Sequence, residues 1–132
     1  MTDSHKVCPL VLRHDGTQVL AFRHPLAGLQ LVKGTIEPGE DPAQAAIREL
    51  REEAGVAASV AVSLGEDVTI SSEQVWHLFV MQTVGLPDRW THLCLDDGGH
   101  EFAFFWHDLD GPMEGFDGCY RRVMFKLKRA MP

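Results

Sequence analysis

The sequence predicts a single α/β domain in which helices pack on the faces of a mixed β-sheet. The chain has 132 residues, enough for one domain spanning 1–132 with its own core. Several segments of strand-like alternation are separated by turns containing Gly, Asp or Pro, as at Gly65, Gly85 and Gly99. Two segments, one mid-chain and one terminal, carry apolar side chains at helical spacing.

Residues 6–13 read as the first strand, with Pro9 restricting it to an edge or a bulge because proline has no N–H for a ladder. His14-Asp15-Gly16 is a turn signal, and residues 18–24 alternate as a second strand, giving a hairpin. Residues 29–32 form a short third strand that runs into a loop with two glycines and a proline, residues 33–40. A helix is predicted over 42–54. Asp41 is its N-cap, Pro42 suits the first helical position, Gln44 stands where a capping box has its partner, and Gly55 ends it. Ala43, Ala46, Ile47, Leu50 and Ala54 make its apolar stripe. Residues 56–64, 75–83 and 101–107 read as further strands, with 65–67, 85–88 and 96–99 as loops. A last helix over 118–131 carries Tyr120, Val123, Met124, Leu127 and Met131 as a second stripe.

Apolar residues at 45% and charged ones at 23% are those of an ordinary soluble globular protein. The apolar run at 75–81 is interrupted by His77 and is far too short to span a membrane. No signal peptide is expected at the polar N-terminus. Cys8, Cys94 and Cys119 are too few and scattered for a disulfide framework or a metal knuckle, so a cytoplasmic location is expected. Twelve basic against nineteen acidic side chains give a net charge of -7, which argues against nonspecific nucleic-acid binding. Carboxylates can still hold a divalent cation, and the cation can hold phosphates.

The acids have a pattern. Glu49, Glu52 and Glu53 fall on one side of the predicted helix beside the apolar stripe. At such spacings like charges repel by a few tenths of a kcal/mol per pair, and a divalent cation removes the conflict. Mg²⁺ takes hard oxygen ligands and is commonly held by carboxylates together with substrate phosphates. Gly34 and Gly39 let the preceding loop turn sharply and approach a ligand, so a carbonyl there is a further candidate ligand. Between residues 37 and 53 six acids (Glu37, Glu40, Asp41, Glu49, Glu52, Glu53) face two bases (Arg48, Arg51).

Gly34, five residues, Glu40, seven residues, then Arg48-Glu49-Leu50-Arg51-Glu52-Glu53-Ala54-Gly55-Val56 resembles the Nudix box at every fixed position. With seven fixed residue types at ~6% usage each, chance agreement is on the order of 10⁻⁹ per starting position. The resemblance implies a Nudix-type α/β/α sandwich with a central mixed sheet. It also implies a hydrolase that breaks the pyrophosphate bond of a nucleoside diphosphate-linked substrate, with Mg²⁺ or Mn²⁺ as cofactor. On this likeness Glu49, Glu52, Glu53 and the Gly34 carbonyl hold the metal, and Glu101 is the extra acid that some members supply. Glu52 or Glu49 is the general base, and Arg48 orients the acids by pairing with Glu52 or Glu40. Arg23 and Lys33 stand where family members place phosphate- or base-contacting residues. The Lys33-Gly34 pair is similar to diadenosine-polyphosphate and diphosphoinositol-phosphate members, whereas the short chain and Arg23 are similar to MutT-type triphosphate cleavers.

Other features read as structural. The seven histidines have no metal spacing. Trp76, Phe102, Phe104 and Trp106 alternate along strands as core, while Trp90, in a polar loop, is a candidate to stack on a substrate ring. Residues 118–132 carry five bases and no acid, three of them suited to the C-terminal end of a helix dipole. The expected partner is a small-molecule nucleotide or organic diphosphate, with no membrane. Nucleic acid enters only if the protein is an RNA 5′-pyrophosphohydrolase using that basic helix, and a non-catalytic nucleotide-binding module is the competing class. Monomer and homodimer fit the sequence equally.

Overall fold

In the computed structural model, which describes residues 4–95 and 98–130, the first strand lies inside the sheet. This strand, β1 (Ser4–Arg13), runs parallel to β6 (Gln74–Gln82), from Ser4 opposite Gln74 to Val11 opposite Met81. Its other edge changes partner along its length. There β4 (Gly34–Thr35) covers Lys6 and Val7, and β2 (Gln18–His24) takes over at Leu12 and Arg13. Pro9 falls between those two ladders, where a residue without an N–H is tolerated, so the expected edge position gives way to an interior one.

The sheet order is β5-β6-β1-β2-β8-β7, with β5 at Ser59–Asp67, β7 at Trp90–Cys94 and β8 at His100–Asp108; β3 (Gly28–Gln30) pairs with β2. The remaining ladders among the described residues are antiparallel, so the sheet is mixed. Three differences from the sequence reading stand out. The fifth strand starts at Ser59 rather than residue 56, Gly34 and Thr35 pair with β1 inside the expected loop, and Trp90 to Cys94 form an unforeseen edge strand.

Two helices, α1 (Pro42–Ala54) and α2 (Gly118–Ala130), cover opposite faces. Strand alternation sorts the core between them. Val7, Val11, Leu20 and Phe22 face α1 with Leu50 and Ala46, while Cys8, Leu10, Val19 and Ala21 face α2 with Tyr120, Val123, Met124 and Leu127. Each large apolar side chain so buried contributes about 1.5–3 kcal/mol. Met131 of the expected second stripe, and Asp96 and Asp97 of an expected loop, lie outside the described residues.

α1 has the ends its sequence predicts. The Asp41 side chain accepts from the Gln44 amide at 3.2 Å, and Gly55 at φ 71° donates its N–H to the Arg51 carbonyl at 2.9 Å. The buried face extends past the predicted stripe to Ala45 and to Glu49, an acid. α2 is tied down by Arg122, which donates to the Ile70 carbonyl at 2.7 Å, and by Lys126 on Asp67 at 2.8 Å. Burial pushes the Asp67 carboxyl up, but the bonds from Lys126 and Thr69 outweigh it and carry it down to about 2. No helix among the described residues is long and apolar enough to cross a membrane.

Candidate active site

The loop between β4 and α1 is tied to both. The Ile36 N–H donates to the His5 carbonyl of β1 at 3.0 Å. A tight turn follows, in which the Glu40 amide donates to the Glu37 carbonyl at 3.0 Å and the Glu37 amide to the Glu40 carboxylate at 3.1 Å. This turn places Glu40 against Arg48 on α1. Arg48 binds Glu40 through two parallel bonds, 2.7 Å from Nε and 2.9 Å from Nη2. Its Nη1 reaches Glu49 at 2.8 Å and Glu52 at 3.2 Å, and Nη2 also meets the Thr35 carbonyl at 3.2 Å. Arg48 thus pairs with both acids the sequence offered it, and with Glu49 as well. These bonds draw the Glu40 carboxyl down to about 2 and raise the guanidinium above its already high value.

Glu49 is 7% exposed, and its carboxylate lies directly over Gly34. A β-carbon at residue 34 would fall on the carboxyl group itself, so glycine is required there for the acid to occupy its place. The other end of α1 is held from β7. The Trp90 indole N–H donates to the Ala54 carbonyl at 2.9 Å, and His92 Nε2 meets the Glu52 carbonyl at 3.0 Å. Two of the last carbonyls of the helix are thereby satisfied. Trp90 stacks on Phe104, centroids 5.1 Å apart, so its expected role on a substrate ring is replaced by docking α1.

A cavity of about 680 Å³ opens where β1, β2, β3, β4, β7, β8 and α1 meet. Glu49, Glu52 and Glu53 line one part, and Lys6, Lys33, His24 and His100 another. Lys33 lines the cavity, and Arg23 and Glu101 do not. Both are exposed, on the opposite strand parity from Phe22 and Phe102, which face α1, so neither lines the cavity. His24 and Lys6 went unrecognised; parity from the core residue Phe22 was the available signal for His24. The His24 Nδ1 accepts the Leu26 and Ala27 amides at 3.0 and 3.2 Å. A larger cavity, about 850 Å³, runs along α2 on the other face, remote from these acids.

A model of the NUDIX domain matches residues 4–124. The chain belongs to the Nudix family. It is a Nudix hydrolase, an enzyme acting in general on pyrophosphate bonds. The Nudix fold recurs in an ADP-ribose pyrophosphatase from Streptococcus suis, at a TM-score of 0.74 and 12% identity, covering 99% of this chain and 94% of that one. A MutT protein from Methanosarcina mazei gives 0.73 at 16% identity over 98% and 95% of the two chains. A MutT Nudix hydrolase from Burkholderia pseudomallei gives 0.72 at 19% identity over 96% and 98%. At these identities the likeness is one of fold. No curated protein matches the chain significantly.

Nudix hydrolases generally use a divalent metal. Among the described residues no three His, Cys, Asp or Glu side chains stand close enough together to hold an ion, and two of the three box glutamates, Glu49 and Glu52, are drawn onto Arg48. The donor set nevertheless suits a hard cation: all-oxygen, three carboxylates lining one cavity, one of them seated over Gly34.

Proposed function

We propose that this Nudix hydrolase uses Mg²⁺ or Mn²⁺ to cleave a pyrophosphate bond in a small nucleotide, of dinucleoside polyphosphate or nucleoside triphosphate type. The observation that carries this reading is the Glu49 carboxylate, nearly buried over Gly34 and held there by Arg48. Burying an acid costs free energy unless its charge is used, and Arg48 is already shared among Glu40, Glu49 and Glu52.

In this reading Glu49, Glu52 and Glu53, with the Gly34 carbonyl, hold the metal, which when bound neutralises phosphate charge and acidifies a water. Glu52 is the more exposed acid and has the longer bond to Arg48, which leaves it free to take the proton of the attacking water. Arg48 keeps the carboxylates apart and oriented, and Lys33 faces the phosphates. The five cations of α2 lie on the opposite face of the sheet, and Arg121, Arg122, Lys126 and Lys128 already meet protein oxygens. That placement disfavours an RNA 5′-pyrophosphohydrolase that relies on the terminal helix.

The test is release of phosphate or pyrophosphate across dinucleoside polyphosphates, nucleoside triphosphates, nucleotide sugars and triphosphorylated RNA, with Mg²⁺ or Mn²⁺. Glu52→Gln is expected to stay folded and to lose at least ~100-fold in kcat, the scale of general-base catalysis. Tight nucleotide binding with no turnover on any substrate would establish a binding module instead.

A further inference from the structure

We propose that the groove along α2, on the face of the sheet opposite the glutamates, is a second binding site, for a small anionic amphiphile: a carboxylate or phosphate head on an extended apolar chain. This cavity of about 850 Å³ lies between α2 and Asp67, Thr69 and Ile70, at the end of β5 and just beyond it. Its lining runs from Gly118 at one end of the helix to Ala130 at the other, about 18 Å at the rise of an α-helix. The volume is that of a small-molecule site and the shape is long. Ile70, 1% exposed, and the half-buried Met113 give it an apolar wall, and Phe125, 63% exposed, adds a ring that nothing covers among the described residues.

Charge decides what enters. Among the described residues five bases and one acid line the groove. The acid, Asp67, is taken by Lys126 at 2.8 Å, and Lys128 is taken by Asp110 at 2.7 Å. The three arginines have no carboxylate within ion-pair distance among the described residues. Arg121 and Arg122 are anchored through Nε alone, each on a backbone carbonyl, that of Phe116 at 2.8 Å and that of Ile70 at 2.7 Å. Their guanidiniums are thus held in place. The Nη atoms, which can take both oxygens of a carboxylate or phosphate side by side, make no hydrogen bond among the described residues. Arg48 is the contrast, since both of its Nη atoms are bound to protein oxygens. Arg129 lies over the Phe125 ring, its Cζ 5.8 Å from the centroid, and keeps a cation above the exposed apolar surface.

The same features set other occupants aside. A two-fold contact between two copies of α2 would bring five bases against five. Residues 118–132 carry +5, so the rest of a chain at -7 carries -12, and a long polyanion reaching past the groove meets that charge. A bilayer is flat, whereas the Ile70 side chain lies below the surface. A single amphiphile confines its charge to the two guanidiniums and lays its chain along the helix over Phe125.

Isothermal calorimetry on the full chain tests this with decanoate and decyl phosphate below their micelle concentrations, and with acetate and decanol as the head and the chain alone. At least one decyl anion is expected to bind about tenfold or more tighter than acetate or decanol. Arg121→Gln and Phe125→Ser, at exposed positions, should each weaken that binding about fivefold or more, and Arg121→Lys, which keeps the charge but not the fork, should recover only part of the loss. Thermal melts check folding, and Arg122→Gln decides if Arg121→Gln does not fold. Equal binding of decanol, no binding of either anion, or binding that the variants leave unchanged overturns the site. So does tighter, variant-sensitive binding to a single-stranded RNA or to phosphatidylglycerol vesicles, which gives the face to a polymer or a membrane. No nucleotide or metal enters the assay, so its outcome is independent of the hydrolase reading.

Discussion

Gly34→Ala should separate activity from folding. A β-carbon at this position falls on the carboxyl carbon and both oxygens of Glu49, and the obstacle is the end of a flexible side chain rather than backbone. The chain can therefore stay in place while the carboxylate retreats by roughly 1 Å, a misplacement that costs on the order of 100-fold in rate. Retreat breaks the 2.8 Å bond to Arg48, which keeps its two bonds to Glu40. A hydrogen bond to a charged group contributes about 1.5–3 kcal/mol. The Arg48 side chain is 19% exposed, which favours the lower end. Residue 34 does not adopt a positive φ, so alanine also restricts the unfolded chain and returns about 0.4–1 kcal/mol. The net loss is about 1 kcal/mol, a fall of roughly 4 °C in Tm for a domain of this size. Metal-dependent phosphate release and a thermal melt measure the two effects. Activity within threefold of wild type, with the melt unchanged, would show that the seat of Glu49 over Gly34 does not matter to the chemistry.

Trp90→Phe keeps the stack on Phe104 but leaves the Ala54 carbonyl without its indole donor, at a cost of about 1–2 kcal/mol in urea denaturation. Glu40→Gln should flatten the acid limb of stability. The folded carboxyl sits at about 2, below its ordinary 4.5, so the stabilisation it brings is complete above pH 4.5 and is lost as pH falls towards 2. Urea melts of both proteins at pH 6 and pH 3 should therefore differ most at pH 6. Leu50→Ala removes a fully buried side chain between α1 and the sheet and should cost about 2–5 kcal/mol, read by the same denaturation.

α1 was legible from end to end because its signals are local: Asp41, Pro42 and Gly55 act on backbone groups within a turn of themselves. The strand β2 was equally clear from its alternation. What the sequence concealed depends on partners far along the chain. Pro9 excludes an interior strand only if both edges are fully paired, and the handover from β4 to β2 is invisible in the residues of β1. Trp90 sits among Pro87, Asp88 and Arg89, a polar setting, yet pairs opposite Phe104 and becomes the lock on α1. Arg23 and Glu101 have the right chemistry on the wrong parity. Lys6 is drawn to the cavity by its register with Thr35, which follows from a two-residue strand too short to leave a pattern.

β1 is paired along both of its edges. β1 cannot complete its parallel ladder until residues 74–82 exist to pair with it, and the cavity needs His100 and Phe102 as well as Lys6. As a growing chain leaves the ribosome, α1 can coil as soon as its own residues are free. Its glutamates meet the rest of the cavity only once residues 74–102 are present to pair and line it. Assembly of the site is thus set by long-range pairing, which is slow to close.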